Sequence, residues 1–368
     1  MGNQDSVFLS GRTSFVNRLN EKFAEYARNT ANFFINDINY QSAVYGLDEW
    51  SDPFYWHMYK YALSLKAIPW LALNVSNIIK SIYGKNKKSL VLDLDNTLWG
   101  GIVGDDGVDN LEIGQETSMG QVYLEFQNYV KALKDIGVML NIASKNEEEN
   151  AVSGLNHPDG ILRPEDFILI KANWKPKSEN MLEIAQEMNI LPDSLVFVDD
   201  NPAEREIVRS YVSGVSVPDI GTPEQYIRVL DHNGYFEVTA LSEDDRKRNE
   251  MYKANVLRAK QEASFTDYGA YLKSLQMKAV IKPFDSIAQL TNKSNQFNLT
   301  TRRYTQAEIE QIAEDMTYIT LYGKLEDKFG DNGVVSVVIG HKQQKEQLEL
   351  HIELWLMSCR VLKRDMEY

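Results

Sequence analysis

The stretch "SLVLDLDNTLWGG", residues 89–101, ends an apolar run with paired acids. Asp93 and Asp95 stand two positions apart, and Thr97 follows two positions later. An apolar run without polar alternation is typical of a strand buried on both faces of a parallel sheet. Because ligands bind at the carboxyl ends of the strands in such sheets, we expect these acids at a functional edge.

Composition and charge exclude several classes of protein. The chain has 368 residues, of which 43% are hydrophobic, and a formal net charge of −14. This charge argues against a bulk attraction to nucleic acid or to an anionic membrane, so we predict neither as a partner. No apolar run approaches the ~18 residues of a membrane-spanning helix, and the N-terminal residues lack a signal-peptide pattern. The single cysteine, Cys359, cannot form an intrachain disulfide, which favours a cytoplasmic location.

Three regions with different sequence patterns predict three domains. Residues 1–85 are rich in aromatic residues and indicate a helical flank. Residues 86–235 alternate short apolar strands with amphipathic helices, which predicts an α/β fold with a parallel sheet. Residues 236–368 place consecutive strands between short polar turns, which predicts an antiparallel α+β domain. The strands expected in the middle domain are 89–94, 138–143, 167–170, 194–200 and the less regular 212–217.

Further polar residues follow the other predicted parallel strands. Ser144 ends the second strand, Asp199 and Asp200 end the fourth, and Lys177 opens the helix after the third. Any one strand-terminal Asp is equally well explained as a helix cap or a turn residue. The combination favours a shared site, because successive strands deliver these groups to one edge of one sheet.

Phosphoryl transfer is the chemistry that this set of residues can perform. Acids from two strands supply the hard oxygen ligands that Mg²⁺ requires, and the metal would offset repulsion between a carboxylate and a phosphate. Asp93 could then attack phosphorus to form an aspartyl-phosphate. Asp95 would protonate the leaving oxygen and later accept a proton from water. Lys177 and Ser144 would hold the phosphoryl oxygens.

The motif "VLDLDNT", followed in order by a strand-terminal Ser, a Lys and a DD pair, resembles the haloacid dehalogenase superfamily of phosphotransferases. The resemblance implies a Rossmann-like domain in which Asp93 is the nucleophile and a Mg²⁺ ligand. It implies that Asp95 is the acid/base and binds Mg²⁺ through its backbone carbonyl. The remaining implied residues are Asn96, Thr97, Ser144 and Lys177 around the phosphate, and Asp200, assisted by Asp199, at the metal. Lys171 and Lys175 compete for the lysine role, and Lys177 is preferred because the helix-opening "SEN" follows it.

The segment between Asp95 and Ser144 is short for a lid, because much of it reads as helix. The Gly- and Asp-rich stretch "GGIVGDDGVDNLEIGQETSMG" predicts a hairpin flap, and thus a minimal cap. Superfamily members with small caps act on large substrates or are covered by a partner or a neighbouring domain.

Longer segments, among them "DLDNTLWGGIVGDDG", "NWKPKSENM" and "LMSCRVLKR", resemble the FkbH-like branch of that superfamily. That likeness implies processing of the glyceryl group of 1,3-bisphosphoglycerate for loading onto an acyl carrier protein. It also implies a C-terminal domain similar to an acetyltransferase. The segment "RVLKRDMEY" has Lys363 and Asp365 where a CoA-binding turn needs glycines, so we expect this domain to be incomplete or the chain to be a piece of a longer protein.

Two weaker sites and one alternative function stay open. Cys359 could carry a thioester, although a buried strand residue explains it better. Arg302 and Arg303 could hold a phosphopantetheine phosphate or an acidic carrier, although a solvated helix end explains them better. The alternative function is a non-catalytic scaffold that keeps a vestigial phosphate pocket and binds a carrier protein.

Overall fold

The structure is a computed structural model, and it divides the chain into two compact units. It describes residues 2–30, 32–239, 241, 243–283, 306–342 and 348–351. The first unit comprises Met1–Tyr83, Pro283–Leu321 and Val338–Glu353. The second unit comprises, among the described residues, Gly84–Lys282 and Tyr322–Val337.

The N-terminal part of the first unit is helical, as the aromatic-rich sequence predicts. Asp52 caps one helix by accepting a hydrogen bond from the backbone amide of Phe54, and Pro53 supplies the first helical residue, where a missing N–H costs nothing. Its helices are α1 (Gln4–Val7), α2 (Arg12–Asn29), α3 (Ile38–Tyr45), α4 (Leu47–Trp50), α5 (Pro53–Tyr59) and α6 (Ile68–Ile82).

A four-stranded parallel sheet organises the second unit. Its strands are β1 (Ser89–Leu92), β2 (Met139–Ser144), β3 (Leu169–Ala172) and β4 (Leu195–Val198), in the order β3-β2-β1-β4. Strand β1 pairs in parallel with both β2 and β4, and β2 pairs in parallel with β3. The predicted α/β class and parallel sheet are therefore confirmed.

Both faces of this sheet are buried, which explains why its strands lack polar alternation. Leu90 and Leu92 contribute to one apolar cluster together with side chains of the helix before β2. Val91 points to the opposite face and joins a second cluster, which includes Met181 and Val208. Successive side chains of one strand thus anchor two separate layers of helices.

Two helices that flank the sheet begin at capping residues. Thr117 caps the helix before β2 by accepting from the amide of Gly120, and Asn201 caps the helix after β4 by accepting from the amide of Ala203. The helices are α7 (Val103–Asp106), α8 (Ser118–Asp135), α9 (Glu148–Leu155), α10 (Lys177–Met188), α11 (Pro202–Tyr211), α12 (Tyr226–Asn233), α13 (Glu243–Arg246), α14 (Arg248–Ala263) and α15 (Tyr268–Leu275). Short 3₁₀ turns cover Val108–Asn110, Pro164–Asp166, Pro192–Ser194 and Pro223–Gln225.

Two local predictions differ from the structure. The segment 212–217 forms a single bridge, Val196 to Ser216, where a fifth strand was expected. Gly214 has a φ of +91° and Pro218 has no amide hydrogen to donate, so the extended pairing is short. The flap is closed by an antiparallel bridge between Gly100 and Glu112, but it encloses the short helix α7 in place of two hairpin strands.

A second sheet is formed by β5 (Lys278–Pro283), β6 (Tyr318–Asp327), β7 (Gly330–Lys342) and β8 (Leu348–His351), in that order. Strands β7 and β8 pair antiparallel, as predicted for this part of the chain. One more helix, α16 (Gln306–Glu314), precedes β6. Among the described helices, none combines the length and the apolar character that crossing a bilayer requires.

The turn from α8 into β2 generates a test of the packing. Gly137 has a φ of +88°, and an added Cβ would clash with the backbone carbonyl of Asp245. We expect Gly137→Ala to lower the free energy of unfolding by about 2–5 kcal/mol, because backbone strain and overpacking add. Urea denaturation measures this change.

The matched control is Gly221→Ala. Gly221 also has a positive φ, +68°, but an added Cβ there would make only ordinary contacts with Gln225. This variant carries the backbone strain alone, about 1–2 kcal/mol. Equal losses in the two variants would contradict the predicted clash.

Candidate active site

Three carboxylates meet at the carboxyl edge of the parallel sheet. Asp93 directly follows β1, and Asp199 and Asp200 directly follow its neighbour β4. One oxygen of each of these three acids lies within 4.8 Å of the others. Asp93 and Asp199 are buried and Asp200 is half-buried, so the cluster concentrates negative charge where water screens it little.

Lys177 joins two of these acids. Its Nζ lies 2.8 Å from Asp93 Oδ2 and 2.5 Å from Asp199 Oδ2. The three residues are only 3%, 6% and 0% exposed. Lys177 is the first residue of α10, in the connection that leaves β3, so three strand ends supply this one group of charges.

The burial of the cluster shifts the pKa values of its members. Burial, and then the charge of Asp93, raise the pKa of Asp199 to about 6. The same two causes raise the pKa of Asp200. Burial by itself lowers the pKa of Lys177, but the charges and hydrogen bonds of Asp93 and Asp199 outweigh it and raise that pKa. Lys177 is therefore a permanent cation in the site.

One oxygen of the cluster receives no hydrogen bond from the described residues. Asp93 Oδ1 is buried, and no donor reaches it from the part of the chain that the structure describes. A buried carboxylate oxygen without a partner is costly, and it is relieved by a cation. Its position beside Asp199 and Asp200 makes a set of hard oxygen donors, which fits Mg²⁺.

The backbone around the acid pair is held by two polar side chains. Arg205 Nη1 donates to the carbonyl oxygens of Asp199 and Asp200, each at 2.8 Å. Thr97 Oγ1 accepts from the amide of Asp200 at 3.2 Å. Thr97 therefore links the loop after β1 to the loop after β4, and both loops are fixed relative to the sheet.

Asp95 faces the flap. Its Oδ1 accepts from Trp99 Nε1 at 2.9 Å and from the amide of Val103 at 3.0 Å, and its Oδ2 accepts from Asn146 Nδ2 at 3.0 Å. Burial is the main cause that raises the pKa of Asp95. Its carboxylate lies outside the cluster of three acids, and its expected metal contact is through the backbone carbonyl.

The other predicted residues fall in different places. Asn96 has a φ of +53° and its Oδ1 accepts from the amide of Gly101 at 3.0 Å, so it shapes the base of the flap. Ser144 is buried at the end of β2, at the same edge of the sheet as the acids. Cys359, Arg302 and Arg303 lie outside the described residues.

The two competing lysines lie away from the acids. Lys171 Nζ is 2.5 Å from Glu187 Oε1 and 3.2 Å from Glu183 Oε2. Lys175 Nζ is 2.6 Å from Glu183 Oε1. Both lysines are therefore engaged by glutamates of α10, and the structure places Lys177 alone of the three against Asp93 and Asp199.

Sequence reasoning missed Trp99, Asn146 and Arg205. Trp99 lies within the motif-bearing stretch, and Asn146 follows Ser144 by two positions. Proximity to a motif is the signal that could have suggested them. The partner of Asn146 is distant in sequence, whereas the contacts of Trp99 and Arg205 depend on how the loops after β1 and β4 turn.

The Lys177 bridge generates a stability prediction. We expect Lys177→Met to lower the free energy of unfolding by about 3–5 kcal/mol near neutral pH, because it leaves two buried carboxylates without their cation. Urea denaturation without divalent cations measures this.

Lys175→Met is the control, since it removes an ion pair whose lysine side chain is 52% exposed. Such pairs contribute about 0–1 kcal/mol. A loss for Lys177→Met no larger than that of Lys175→Met would show that the bridge does not stabilise the fold.

Comparisons with known proteins place this geometry in context. No family model and no curated protein matches the chain. Among solved structures, the chain is 37% identical to the N-terminal part of BF1531 from Bacteroides fragilis, which contains a phosphatase domain and was crystallised with Mg. The match covers 65% of this chain and 64% of that one, with a TM-score of 0.63.

A second match is far weaker. The haloacid dehalogenase family enzyme BT-2542 from Bacteroides thetaiotaomicron, in complex with magnesium and inorganic phosphate, is 16% identical, with a TM-score of 0.26. That match covers 38% of this chain and 95% of that one, and we draw no conclusion from it. The chain is therefore similar, over about two thirds of its length, to the region of BF1531 that contains a phosphatase domain, and it spans less than two thirds of that chain.

Proposed function

We propose that the second unit is a Mg²⁺-dependent phosphatase or phosphotransferase that works through an aspartyl-phosphate on Asp93. The observation that carries the proposal is the buried acid cluster, bridged by Lys177, in which one oxygen of Asp93 has no donor among the described residues. The likeness to a protein with a phosphatase domain that was crystallised with Mg supports it.

Asp93, Asp199 and Asp200 are the side chains that would hold Mg²⁺, together with the backbone carbonyl of Asp95. The metal supplies charge neutralisation, so that a carboxylate and a phosphate can approach each other. Arg205 and Thr97 keep the backbone of the acid pair in place through hydrogen bonds of 2.8 and 3.2 Å.

In the first step, an Asp93 oxygen attacks phosphorus and the bond from phosphorus to the leaving oxygen breaks. Asp95 donates a proton to that leaving oxygen. Lys177 fixes the orientation of the Asp93 carboxylate through the 2.8 Å contact, and its charge lowers the cost of bringing the phosphoryl group beside three acids. Ser144, which is buried at the end of β2, would donate a hydrogen bond to a phosphoryl oxygen.

In the second step, a water oxygen bonds to phosphorus, the bond from phosphorus to the Asp93 oxygen breaks, and inorganic phosphate leaves. Asp95, now a carboxylate, takes the proton from that water. Burial raises the pKa of Asp95 above that of an exposed aspartate. A carboxyl group with a raised pKa is better suited both to give and to accept a proton. A group other than water at this step would make the protein a transferase.

The finer proposal is that the substrate is 1,3-bisphosphoglycerate, whose glyceryl group is loaded onto an acyl carrier protein. Asp93 would take the phosphoryl group of the ester, and a thiol would attack the acyl carbon so that the acyl phosphate leaves as inorganic phosphate. This proposal rests on the sequence resemblance to the FkbH-like branch. Cys359 as a thioester carrier and the acetyltransferase-like C-terminal domain are proposals that rest on the same resemblance. The three domain boundaries rest on the changes in sequence pattern, and the cytoplasmic location rests on the single cysteine.

The scaffold alternative is the weaker explanation. A binding module has no use for a half-buried carboxylate such as Asp95 that is held by hydrogen bonds outside the acid cluster. Burying ionisable groups lowers stability unless they are paired, so their presence favours catalysis.

The direct test of the proposal is phosphate release from a panel of phosphate esters and acyl phosphates. We expect release that requires both Mg²⁺ and Asp93, with at least about a 10²-fold loss in Asp93→Asn, because the amide keeps the shape but is not a nucleophile. Preference for 1,3-bisphosphoglycerate over esters would support the acyl-loading proposal.

Asp193→Asn is the matched control, because Asp193 lies in the 3₁₀ turn before β4, at the opposite end of that strand from the site. It should keep wild-type activity. Release by Asp93→Asn at the wild-type rate would exclude Asp93 as the nucleophile, and no release by the wild-type protein would favour the scaffold.

The raised pKa of Asp199 generates a prediction on metal binding. As the pH falls through about 6, Asp199 gains a proton and the site loses an anionic ligand. We expect the affinity for Mg²⁺ to fall about tenfold between about pH 7 and about pH 5, as one group titrating in that range requires. Isothermal titration calorimetry measures it.

Asp199→Asn removes this titration, so its weaker Mg²⁺ affinity should change less over the same range. A wild-type affinity that is flat with pH would show that Asp199 does not lose a proton when the metal binds.

A further inference from the structure

The Asp95 carboxylate is held by donors from two segments. Trp99 and Val103, at the base of the flap, both donate to Oδ1, at 2.9 and 3.0 Å. Asn146, in the loop after β2, donates to Oδ2 at 3.0 Å. Trp99 is 1% exposed and Asn146 is 4% exposed, so water competes poorly for these bonds.

The distribution of donors leaves one position of the carboxylate open. A carboxylate oxygen offers two lone-pair positions. Both positions on Oδ1 are occupied, by Trp99 and by the amide of Val103, whereas Oδ2 receives one donor from the described residues. The open position of the carboxylate is therefore on Oδ2.

Both side-chain donors are themselves fixed. The ring of Trp99 packs so closely on helix α9 that a Cβ at Gly154 would lie 2.8 Å from its Cζ2 and Cη2 atoms. The Oδ1 of Asn146 accepts from the amide of Glu147 at 3.0 Å, which turns its Nδ2 toward Asp95. Neither donor can rotate away without breaking another contact.

We propose that Trp99 and Asn146 are positioning residues that aim Oδ2 of Asp95 at the leaving oxygen of the substrate. This inference rests on the proposed function. An Asp93 oxygen forms a bond to phosphorus, the bond from phosphorus to the leaving oxygen breaks, and its electron pair stays on that oxygen. The proton moves there from Asp95 Oδ2, which leaves Asp95 as a carboxylate.

The experiment compares two substrates whose leaving groups differ in basicity. An alkyl phosphate needs its leaving oxygen protonated, whereas p-nitrophenyl phosphate does not. We expect Trp99→Phe and Asn146→Ala each to lower kcat for the alkyl phosphate by about 10- to 100-fold, within the range that acid catalysis contributes, and kcat for p-nitrophenyl phosphate by less than about threefold. KM for both substrates should change little.

Trp174→Phe is the matched control for the lost indole N–H. Trp174 is 68% exposed, and its Nε1 donates to Glu147 Oε1 at 2.6 Å. This variant deletes an indole N–H from a neighbouring loop, where it does not contact Asp95. Both rates should therefore stay within about twofold of wild type.

A double variant shows whether Trp99 acts through Asp95. Once Asp95→Asn has removed the acid, adding Trp99→Phe should cost the alkyl phosphate reaction nothing further. Single-turnover measurements with enzyme in excess reach the slow rates involved. A further loss in the double variant, or equal losses on the two substrates in the single variants, would overturn the inference.

Folding is checked by circular dichroism and thermal unfolding. If Trp99→Phe does not fold, Asn146→Ala decides, because Asn146 does not make the ring contact with Gly154. A wild-type protein without Asp93-dependent release from either substrate overturns both the proposed function and this inference. Asp93-dependent release without any dependence on the leaving group overturns the positioning role alone.

Discussion

The second unit depends on one electrostatic constraint, which is that buried carboxylates at the edge of its sheet need a cation. Asp93 and Asp199 have almost no contact with water, and the repulsion between them is offset by Lys177. Desolvation makes such an arrangement expensive, and excellent geometry is needed to offset it. The unfavourable desolvation free energy of these buried charges is therefore retained for a reason other than stability. The proposed phosphoryl transfer is such a reason.

The architecture meets the constraint through the ends of its strands. Asp93 follows β1, the acid pair follows β4, and Lys177 begins the helix after β3. Because the strands are parallel, each contributes its carboxyl end to the same edge. Helices pack on both faces of the sheet and hold it rigid. The charged groups are therefore positioned by backbone that cannot easily relax.

Much of this could be predicted from the sequence, because strand burial and strand ends are local signals. The four parallel strands, the polar residues that follow them and the preference for Lys177 came from apolar runs, spacing and resemblance. The interior of the flap and the donors to Asp95 could not be predicted in the same way. Asn146 meets Asp95 from a segment far away in sequence, the contact of Trp99 with Asp95 depends on how the loop after β1 turns, and a helical turn such as α7 is too short for a periodic pattern to reveal.

The reciprocal hydrogen bonds between Gly100 and Glu112, at 3.0 and 2.9 Å, turn the flap into a closed loop with a fixed base. Residues inserted beyond this base change the loop without changing the register of the sheet or the place of the acids. Loop closure becomes only about 0.6 kcal/mol more costly with each doubling of length. The flap can therefore diversify during evolution while the charged centre stays the same. The choice of substrate can then change without a change in the reaction.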